Sequence, residues 1–140
     1  MQKHLAHIRQ YPTVRQHMTS SPRTISPGSS LATAHRLMRS SGIRHLPVVD
    51  HGKVVGIVSA RDLLLLETLP SVSPGEAHVY EAMVRDVFTV APETPLGEVV
   101  ETMIDRKVGS AVVVEDDHVV GVLTTIDALS ALHGMLEEQP

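Results

Sequence analysis

Two short stretches of the chain place a hydroxyl residue three positions before an aspartate. The first is GIVSARD, with Ser59 and Asp62, and the second is GVLTTID, with Thr124 and Asp127. An ionised aspartate has only hydrogen-bond acceptors, so it can take both hydroxyl hydrogens of a ribose diol. A hydroxyl one turn earlier, together with the free N–H groups of a helix N-terminus, can meet a phosphate. Without any ligand, the same residues would act as simple helix caps and first-turn acids.

These stretches belong to an internal repeat. Sliding the sequence by 65 residues aligns positions 24–62 with 89–127 without a gap. Upstream, VRQHM at 14–18 matches VRDVF at 84–88 only if the second copy has lost five residues, the equivalent of TSSPR. Duplication of a supersecondary unit explains this pattern far better than chance does. The aligned pairs include Thr24 with Thr89, Pro27 with Pro92, Leu31 with Leu96, Met38 with Met103, Gly56 with Gly121, and Asp62 with Asp127.

Each copy contains an amphipathic helix followed by a hairpin and a second helix. Ser29 or Ser30 is the predicted cap of the first helix, and in the second copy Thr94 caps while Pro95 takes the first helical position. The predicted buried stripes are Leu31, Ala34 and Met38 in one copy and Leu96, Val99, Val100 and Met103 in the other. The hairpins are LPVVD with KVVGIVS, turning at His51-Gly52, and AVVVE with HVVGVLT, turning at Asp116-Asp117.

This order of strand, helix, strand, strand, helix predicts an α/β (α+β) fold with two pseudo-symmetric repeats. The predicted boundaries are an N-terminal extension at 1–13, for which a helix is one alternative, a first repeat at 14–69, a linker at 70–78, a second repeat at 79–136 and a tail at 137–140. A unit of about 55 residues rarely buries enough surface to be stable alone. The repeats should therefore pack sheet to sheet, with clefts between them.

Composition excludes several classes of protein. The 140 residues include no Cys, so there is no disulfide, thiolate metal site or cysteine nucleophile. No apolar run approaches the roughly 18 residues of a membrane span, which favours a cytoplasmic protein. The nine His are scattered and predict no metal site. Neither a GxSxG motif nor a phosphate-cradling glycine loop is present, so we do not expect an enzyme.

Charge divides the chain into two unlike halves. The net charge is −4, but residues 1–69 hold nine Lys/Arg against three Asp/Glu, whereas residues 70–140 hold three against thirteen. The basic half could bind a polyanion, or the halves could pair within or between chains; uneven solvated surface is the alternative. We do not expect nucleic acid as a partner, because the chain has only three aromatic residues on which bases could stack.

The ordered set of motifs resembles a tandem pair of cystathionine-β-synthase (CBS) domains, also called a Bateman module. The likeness covers about residues 14–135 and rests on VRQHMT, TISPGSSL, IRHLPVVD and GIVSARD with their partners VRDVF, TVAPETPL, VGSAVVVE and GVLTTID. It implies regulatory binding of adenosine-containing ligands (AMP, ADP, ATP or S-adenosylmethionine), with no cofactor required. It also implies a homodimer, to which the charge split adds an antiparallel arrangement, and an unidentified regulated protein as partner.

The resemblance further implies that each cleft takes residues from both repeats. The cleft that ends in Asp127, the Asp127 cleft, comprises Thr24, Ile43, Arg44, His45, Val122, Thr124 and Asp127. The cleft that ends in Asp62, the Asp62 cleft, comprises Thr89, Val108, Gly109, Ser110, Ile57, Ser59, Arg61 and Asp62. Apolar members would sandwich an adenine while backbone groups bind its edge.

The two clefts are predicted to differ in strength. Arg44 and His45 could hold a phosphate in the Asp127 cleft, where the other cleft has Gly109 and Ser110. The missing equivalent of TSSPR would also shorten one wall of the Asp62 cleft. The alternative to a nucleotide sensor is a constitutive dimerisation or scaffold module with vestigial clefts.

Overall fold

The structure is a computed structural model that describes residues 11–138, so the predicted N-terminal extension at 1–13, with its helical alternative, lies almost wholly outside the described residues. The helices are α1 (Val14–His17), α2 (Leu31–Ser41), α3 (Ala60–Glu67), α4 (Val79–Ala82), α5 (Leu96–Arg106) and α6 (Thr125–Glu137). The strands are β1 (Thr19–Ser20), β2 (His45–Asp50), β3 (Lys53–Ser59), β4 (Thr89–Val90), β5 (Ser110–Glu115) and β6 (His118–Thr124). None of the described helices is long and apolar enough to cross a membrane.

Both predicted hairpins are confirmed. Strands β2 and β3 pair antiparallel, as do β5 and β6, and each pair has one irregularity in register, between Val48 and Val49 or between Val113 and Val114. The turn residues His51-Gly52 and Asp116-Asp117 all have positive φ, as tight two-residue hairpin turns require. The two hairpins contact each other through β3 and β6, so the repeats pack sheet to sheet as expected.

Each repeat is completed by the segment with which the other repeat begins. Strand β1 pairs with β6 of the second repeat, and Val14 is fully buried in the core of that repeat. Reciprocally, Val79 is buried in the core of the first repeat, and Val84 forms a bridge with Ile57 of β3. We call residues 13–20 and 78–85 the leading segments. Their exchange makes the two repeats structurally interdependent.

The leading segments also correct the predicted alignment. Val14 corresponds to Val79 and Met18 to Met83, so the 65-residue offset continues upstream without a gap. Both segments begin with a capping box, formed by Thr13 with Gln16 and by His78 with Glu81. The deletion of five residues was therefore wrong, and so was the shortened wall of the Asp62 cleft that it implied.

The helix stripes were predicted well, but one cap was not. Leu31, Ala34 and Met38 are buried in α2, and Leu96, Val99 and Met103 are buried in α5 while Val100 is half-buried. Ser30 caps α2, since its side chain accepts the Thr33 N–H. Thr94 does not cap α5. Pro95 has an extended backbone and occupies the N-cap position without a side-chain hydrogen bond, so the helix begins at Leu96.

The motif glycines create room for the exchanged leading segments. A Cβ built on Gly121 would collide with Met18, and one on Gly56 would lie 2.6 Å from Sδ of Met83 and 3.0 Å from the carbonyl oxygen of Val84. We predict that Gly121→Ala lowers the free energy of unfolding by about 1–3 kcal/mol through overpacking. The exposed helical Gly134, which has open space around it, is the control, since Gly134→Ala should stabilise by about 0.5–1 kcal/mol. Urea denaturation of both variants tests this, and an undiminished stability of Gly121→Ala would contradict it.

Candidate functional site

The Asp62 carboxylate stands at the N-terminus of α3 in a capping box. The Asp62 N–H donates to Oγ of Ser59 at 3.0 Å, and the Ser59 N–H donates to Oδ2 of Asp62 at 2.9 Å. Both side chains are half-buried. Within residues 11–138, Oδ1 of Asp62 accepts no hydrogen bond from a protein group, so one oxygen of this carboxylate is available to a ligand.

The Asp127 carboxylate has the same capping box and one more partner. The Thr124 N–H donates to Oδ2 of Asp127 at 2.9 Å, and the Asp127 N–H donates to Oγ1 of Thr124 at 3.3 Å. The Thr124 hydroxyl also donates to Oδ2, at 3.1 Å. In addition, the hydroxyl of Thr19 in β1 donates to Oδ1 at 3.3 Å. A hydroxyl of the first leading segment thus binds the carboxylate of the second repeat.

The capping alternative is therefore correct as a description of both aspartates. It does not exclude a ligand, because an ionised carboxylate offers about four lone-pair sites and each capping box occupies only part of them. At Asp62 the second oxygen is open, and at Asp127 a ribose hydroxyl could replace the long hydrogen bond from Thr19. The capping boxes fix each carboxylate in place without using up its acceptors.

Thr19 is the residue that sequence reasoning missed. It follows VRQHM directly, and its partner at the 65-residue offset is Val84, which bridges Ile57 in the other repeat. The gapped alignment hid this equivalence. An ungapped comparison would have placed a hydroxyl beside one carboxylate and an apolar residue beside the other.

The other residues predicted for the Asp127 cleft lie on three elements. Val122 is buried on β6 opposite Thr19, Ile43 is half-buried before β2, and Thr24 and Arg44 are exposed. Among the described residues, no hydrogen bond joins Thr24 or Arg44 to Asp127. The structure thus brings Val122, Thr124 and Asp127 close to a segment of the first repeat. The residue of that segment that contacts Asp127 is Thr19, which was not among the predicted residues.

The residues predicted for the Asp62 cleft are likewise divided between repeats. Ile57 is half-buried on β3 next to the second leading segment, and Thr89 pairs with Val112 in the parallel β4–β5 ladder. Ser110 is the buried polar residue of the described chain, with 9% of its surface exposed, and it lies opposite Thr124 across the second hairpin. Exposed positions are Thr89, Gly109 and Arg61, and Val108 is half-buried.

His45 extends from the first repeat toward the second. It lies opposite Ser59 in the first hairpin, and its Nε2 is 3.8 Å from where a Cβ on Gly109 would stand. Burial lowers the pKa of His45 below its ordinary 6.5, the charge of Asp62 opposes that shift, and Arg44 reinforces it. His45 therefore lies within electrostatic reach of Asp62, although the resemblance assigned it to the other cleft.

The lowered pKa of His45 predicts a pH dependence of stability. The unfolded chain binds a proton at His45 more readily than the folded chain does. The free energy of unfolding should therefore fall as the pH drops through 6.5 toward the lower pKa that His45 has in the folded state. His45→Gln should flatten this part of the urea-unfolding profile between neutral pH and pH about 5. His118→Gln, at an exposed position of β6, is the control. An unchanged slope in His45→Gln would contradict the assignment.

A pocket of about 460 Å³ adjoins Asp127 on the side of α1. Gln16 and His17 form one wall, and Ser130, Ala131, Gly134, Met135 and Glu138 of the α6 region form the other. Its volume is within the range of small-molecule sites. Of the predicted cleft residues, this pocket contains Asp127 alone. Within residues 11–138, no three His, Asp or Glu side chains are close enough to hold a metal ion.

Comparison with known proteins places this geometry in context. The family model described as CBS domain matches residues 14–67 and 79–134. The solved structure of AcuB from Vibrio cholerae is 36% identical, with a TM-score of 0.80 over 93% of this chain and 99% of that one. The CBS domain pair of MJ0100, solved with 5′-methylthioadenosine and S-adenosyl-L-methionine, is 26% identical, with a TM-score of 0.78 over 89% of this chain and 98% of that one.

A third solved structure, CBSX2 in complex with AMP, is 27% identical, with a TM-score of 0.74 over 88% of this chain and 97% of that one. Several curated relatives are much longer proteins. The chain spans 38%, 21% and 15% of the length of three of them.

Proposed function

Since the chain belongs to the CBS-domain family, we propose that it is a regulatory module that binds an adenosine-containing ligand in the clefts between its repeats. AMP, ADP, ATP and S-adenosylmethionine are the candidate ligands. Occupancy of a cleft would be transmitted to a partner protein as a change of shape. Such signalling requires that the ligand bind one conformation better than another.

The observation that carries this proposal is the pair of hydroxyl–carboxylate boxes, each beside the leading segment of the other copy. Asp62 and Asp127 are held by their own backbone, at helix N-termini, with acceptor sites left for a ribose. Related domain pairs support the choice of ligand. The MJ0100 pair was solved with 5′-methylthioadenosine and S-adenosyl-L-methionine, and CBSX2 was solved with AMP.

We assign the residues of the two clefts as the resemblance implies, adding Thr19 to the Asp127 cleft. Asp62 and Asp127 would accept from the ribose hydroxyls, and Ile57, Val108, Ile43 and Val122 would contact the adenine. Ser59, Thr124 and the helix N-termini behind them would approach a phosphate. Thr24, Thr89, Gly109, Ser110, His45 and the cations Arg44 and Arg61 would complete the walls.

The Asp127 cleft is proposed as the stronger of the two. Thr19 adds a hydroxyl there, whereas the equivalent residue at the 65-residue offset is Val84, which bridges Ile57. Arg44 is exposed and free to turn toward a phosphate. Thr19 and Arg44 suit a charged nucleotide better than Val84 and Gly109, which are the residues at the equivalent positions of the Asp62 cleft.

Thermal unfolding with each ligand tests the function. A ligand at about 100 times its dissociation constant should add about 2.7 kcal/mol of stability and raise the midpoint by several degrees. Mass spectrometry of the recovered nucleotide would show whether it is turned over, since the proposal includes no catalysis. If none of the four ligands shifts the midpoint, the sensor function is wrong.

A constitutive dimerisation module is the second candidate, and exposed apolar side chains favour it. Leu64 and Leu65 on α3 are 59% and 58% exposed, and Ile126 and Leu136 on α6 are 68% and 61% exposed. Single exposed leucines are ordinary, but such a set on two helices is typical of a protein–protein interface. We propose that these residues join two copies into a homodimer. Such a homodimer is compatible with both functions, the ligand sensor and the scaffold.

Leu64→Glu should disrupt this homodimer. A charge in the apolar centre of an interface is expected to weaken association by about 2 kcal/mol, or roughly thirtyfold. Sedimentation equilibrium measures the change, with Ser40→Glu, which adds the same charge at an exposed polar position of α2, as control. If charge pairing sets an antiparallel arrangement, high salt should also weaken the dimer. A wild type that sediments as a monomer would refute the homodimer.

A further inference from the structure

Helices α2 and α5 end in the same backbone motif but with different residues at the left-handed position. That residue is Gly42 after α2, with a φ of 63°, and Lys107 after α5, with a φ of 55°. In both cases the residue after the cap donates its N–H to the carbonyl of the buried methionine of the helix, at 3.0 Å in α2 and 3.1 Å in α5. Both ends are therefore Schellman motifs, in which the left-handed residue is usually glycine.

Lysine is an unfavourable residue for this position. A side chain in the left-handed region brings its Cβ close to a carbonyl oxygen, which glycine avoids. Among residues 11–138, three of the other four non-glycine residues with positive φ are His51, Asp116 and Asp117, whose types tolerate this region better and which lie in turns that require it. Lys107 thus carries backbone strain where the equivalent position of the first repeat has glycine, and such strain is typical of functional sites.

The charge of Lys107 has no use within the described part of the chain. The residue is exposed, and its ammonium group forms no ion pair with residues 11–138. The last turn of α5 already has a cation, Arg106, whose guanidinium lies 3.2 Å from the Asp86 carboxylate and over the ring of Phe88. A second cation at a strained position is therefore not needed to stabilise the helix C-terminus.

The segment that follows Lys107 faces the first repeat beside the capping box of Asp62. A Cβ built on Gly109 would lie 3.8 Å from Nε2 of His45. His45 lies opposite Ser59 in the first hairpin, and Ser59 with Asp62 forms the capping box at the N-terminus of α3. Lys107 is thus two residues from the point where the second repeat meets the end of the first hairpin.

We propose that Lys107 binds the phosphate of a nucleotide whose ribose occupies the Asp62 cleft. This inference rests on the proposed function and adds to it the residue by which the second repeat recognises a charged ligand. The lysine side chain is a flexible four-carbon stem with three donors, and its ammonium binds phosphate as a point charge. Such a stem can extend from residue 107 toward the N-terminus of α3, where backbone N–H groups also favour an anion.

The two repeats exchange the positions of glycine and cation in this loop. The first repeat has Gly42 and Arg44 at the first and third positions, whereas the second has Lys107 and Gly109. Each proposed cleft therefore has one cation from the loop that follows its helix, but from a different position. An arginine can bind a phosphate with two parallel hydrogen bonds and a lysine cannot, which agrees with the Asp127 cleft as the stronger one.

Titration calorimetry with AMP and adenosine tests the role of Lys107. The two ligands share base and ribose, so the ratio of the adenosine to the AMP dissociation constant measures recognition of the phosphate. In an Asp127→Ala background, which leaves the Asp62 cleft, Lys107→Gly should lower this ratio about tenfold. Lys107→Arg keeps the charge and should retain most of the ratio. In an Asp62→Ala background, Lys107→Gly should leave the ratio unchanged.

Urea unfolding without ligand tests the strain. Lys107→Gly and Lys107→Ala both lack the charge, but only alanine keeps a Cβ in the left-handed region. The unfolding midpoint of Lys107→Gly should therefore be higher than that of Lys107→Ala, by about 0.5 M urea. The matched control is the exposed Glu101 inside α5. There the order should be reversed, with Glu101→Gly less stable than Glu101→Ala, because glycine destabilises a helix interior.

The outcomes separate this inference from the proposed function. No AMP binding or an unchanged ratio in the Asp127→Ala background would overturn the role of Lys107, as would a loss that occurs only in the Asp62→Ala background. Equal midpoints for Lys107→Gly and Lys107→Ala would overturn the strain on which the inference depends. Failure of the wild type to bind either AMP or adenosine would instead overturn the binding of these ligands that the proposed function includes.

Discussion

Asp127→Ala should remove most of the stability that an adenosine-containing ligand adds to this protein. The carboxylate would accept charge-assisted hydrogen bonds from a ribose, and even one of them, at about 1.5–3 kcal/mol, corresponds to a loss of binding of up to about a hundredfold. At a ligand concentration that stabilises the wild type by about 2.7 kcal/mol, the variant would then gain only about 0.4 kcal/mol. Thermal or urea unfolding, each with and without ligand, measures the difference.

The control must separate binding from capping. Asp127→Ala also breaks the box with Thr124, which should lower stability without ligand by about 1 kcal/mol. Asp127→Asn keeps an oxygen that can cap the helix but loses the charge and one acceptor. Asp62→Ala removes the equivalent group from the cleft that we expect to be weaker. A ligand effect that survives Asp127→Ala and disappears in Asp62→Ala would reverse the order of the clefts.

Val14→Asp should unfold the second repeat although Val14 stands at the start of the first. The side chain is fully buried among α5, β5 and β6 residues, with 0% of its surface exposed. An unpaired carboxylate there should cost about 3 kcal/mol or more. Hydrogen exchange should show loss of protection first at Val113 and Leu123 of the second core. Loss confined to the first repeat would contradict the exchange of leading segments.

Ile104→Asp is the matched control for this substitution. It introduces the same charge at an apolar residue of α5 that is 68% exposed. Exposed positions of this kind usually change stability by less than about 0.5 kcal/mol. A comparable loss in both variants would indicate a general effect of negative charge on this acidic half of the chain, rather than loss of a packed segment.

The periodicity of hydrophobic residues predicted those elements of the fold whose residues are close together in the sequence. The hairpins follow from alternating aliphatic residues around His51-Gly52 and Asp116-Asp117, and the buried stripes of α2 and α5 follow from helical spacing. The repeat itself predicted a pair of interdependent units. These features depend on residues that are close in sequence, so a single chain reveals them.

The exchange of leading segments could not be predicted in the same way. Strand β1 has two residues and α1 has four, too few to show a period. The pairing of β1 with β6 joins positions about 100 residues apart, which no local sequence pattern indicates. The similarity of VRQHM to VRDVF then favoured a false gap, and Thr19 was lost from the predicted site with it.

The Thr94 cap failed for a different reason. Threonine before proline satisfies a local preference for a helix start, but the extended backbone of Pro95 delays the helix by one residue. The position of His45 beside both Asp62 and Gly109 is likewise tertiary, since it depends on how the repeats face each other.

The central claim is that an adenosine-containing molecule binds between the repeats through the capped aspartates. Isothermal titration of AMP and S-adenosylmethionine into the wild type and into the Asp62→Ala, Asp127→Ala double variant tests it most directly. We predict saturable binding to the wild type and none to the double variant, whose fold is verified by amide hydrogen exchange. Binding of equal affinity to both proteins, or no binding of either ligand to the wild type, would contradict the claim.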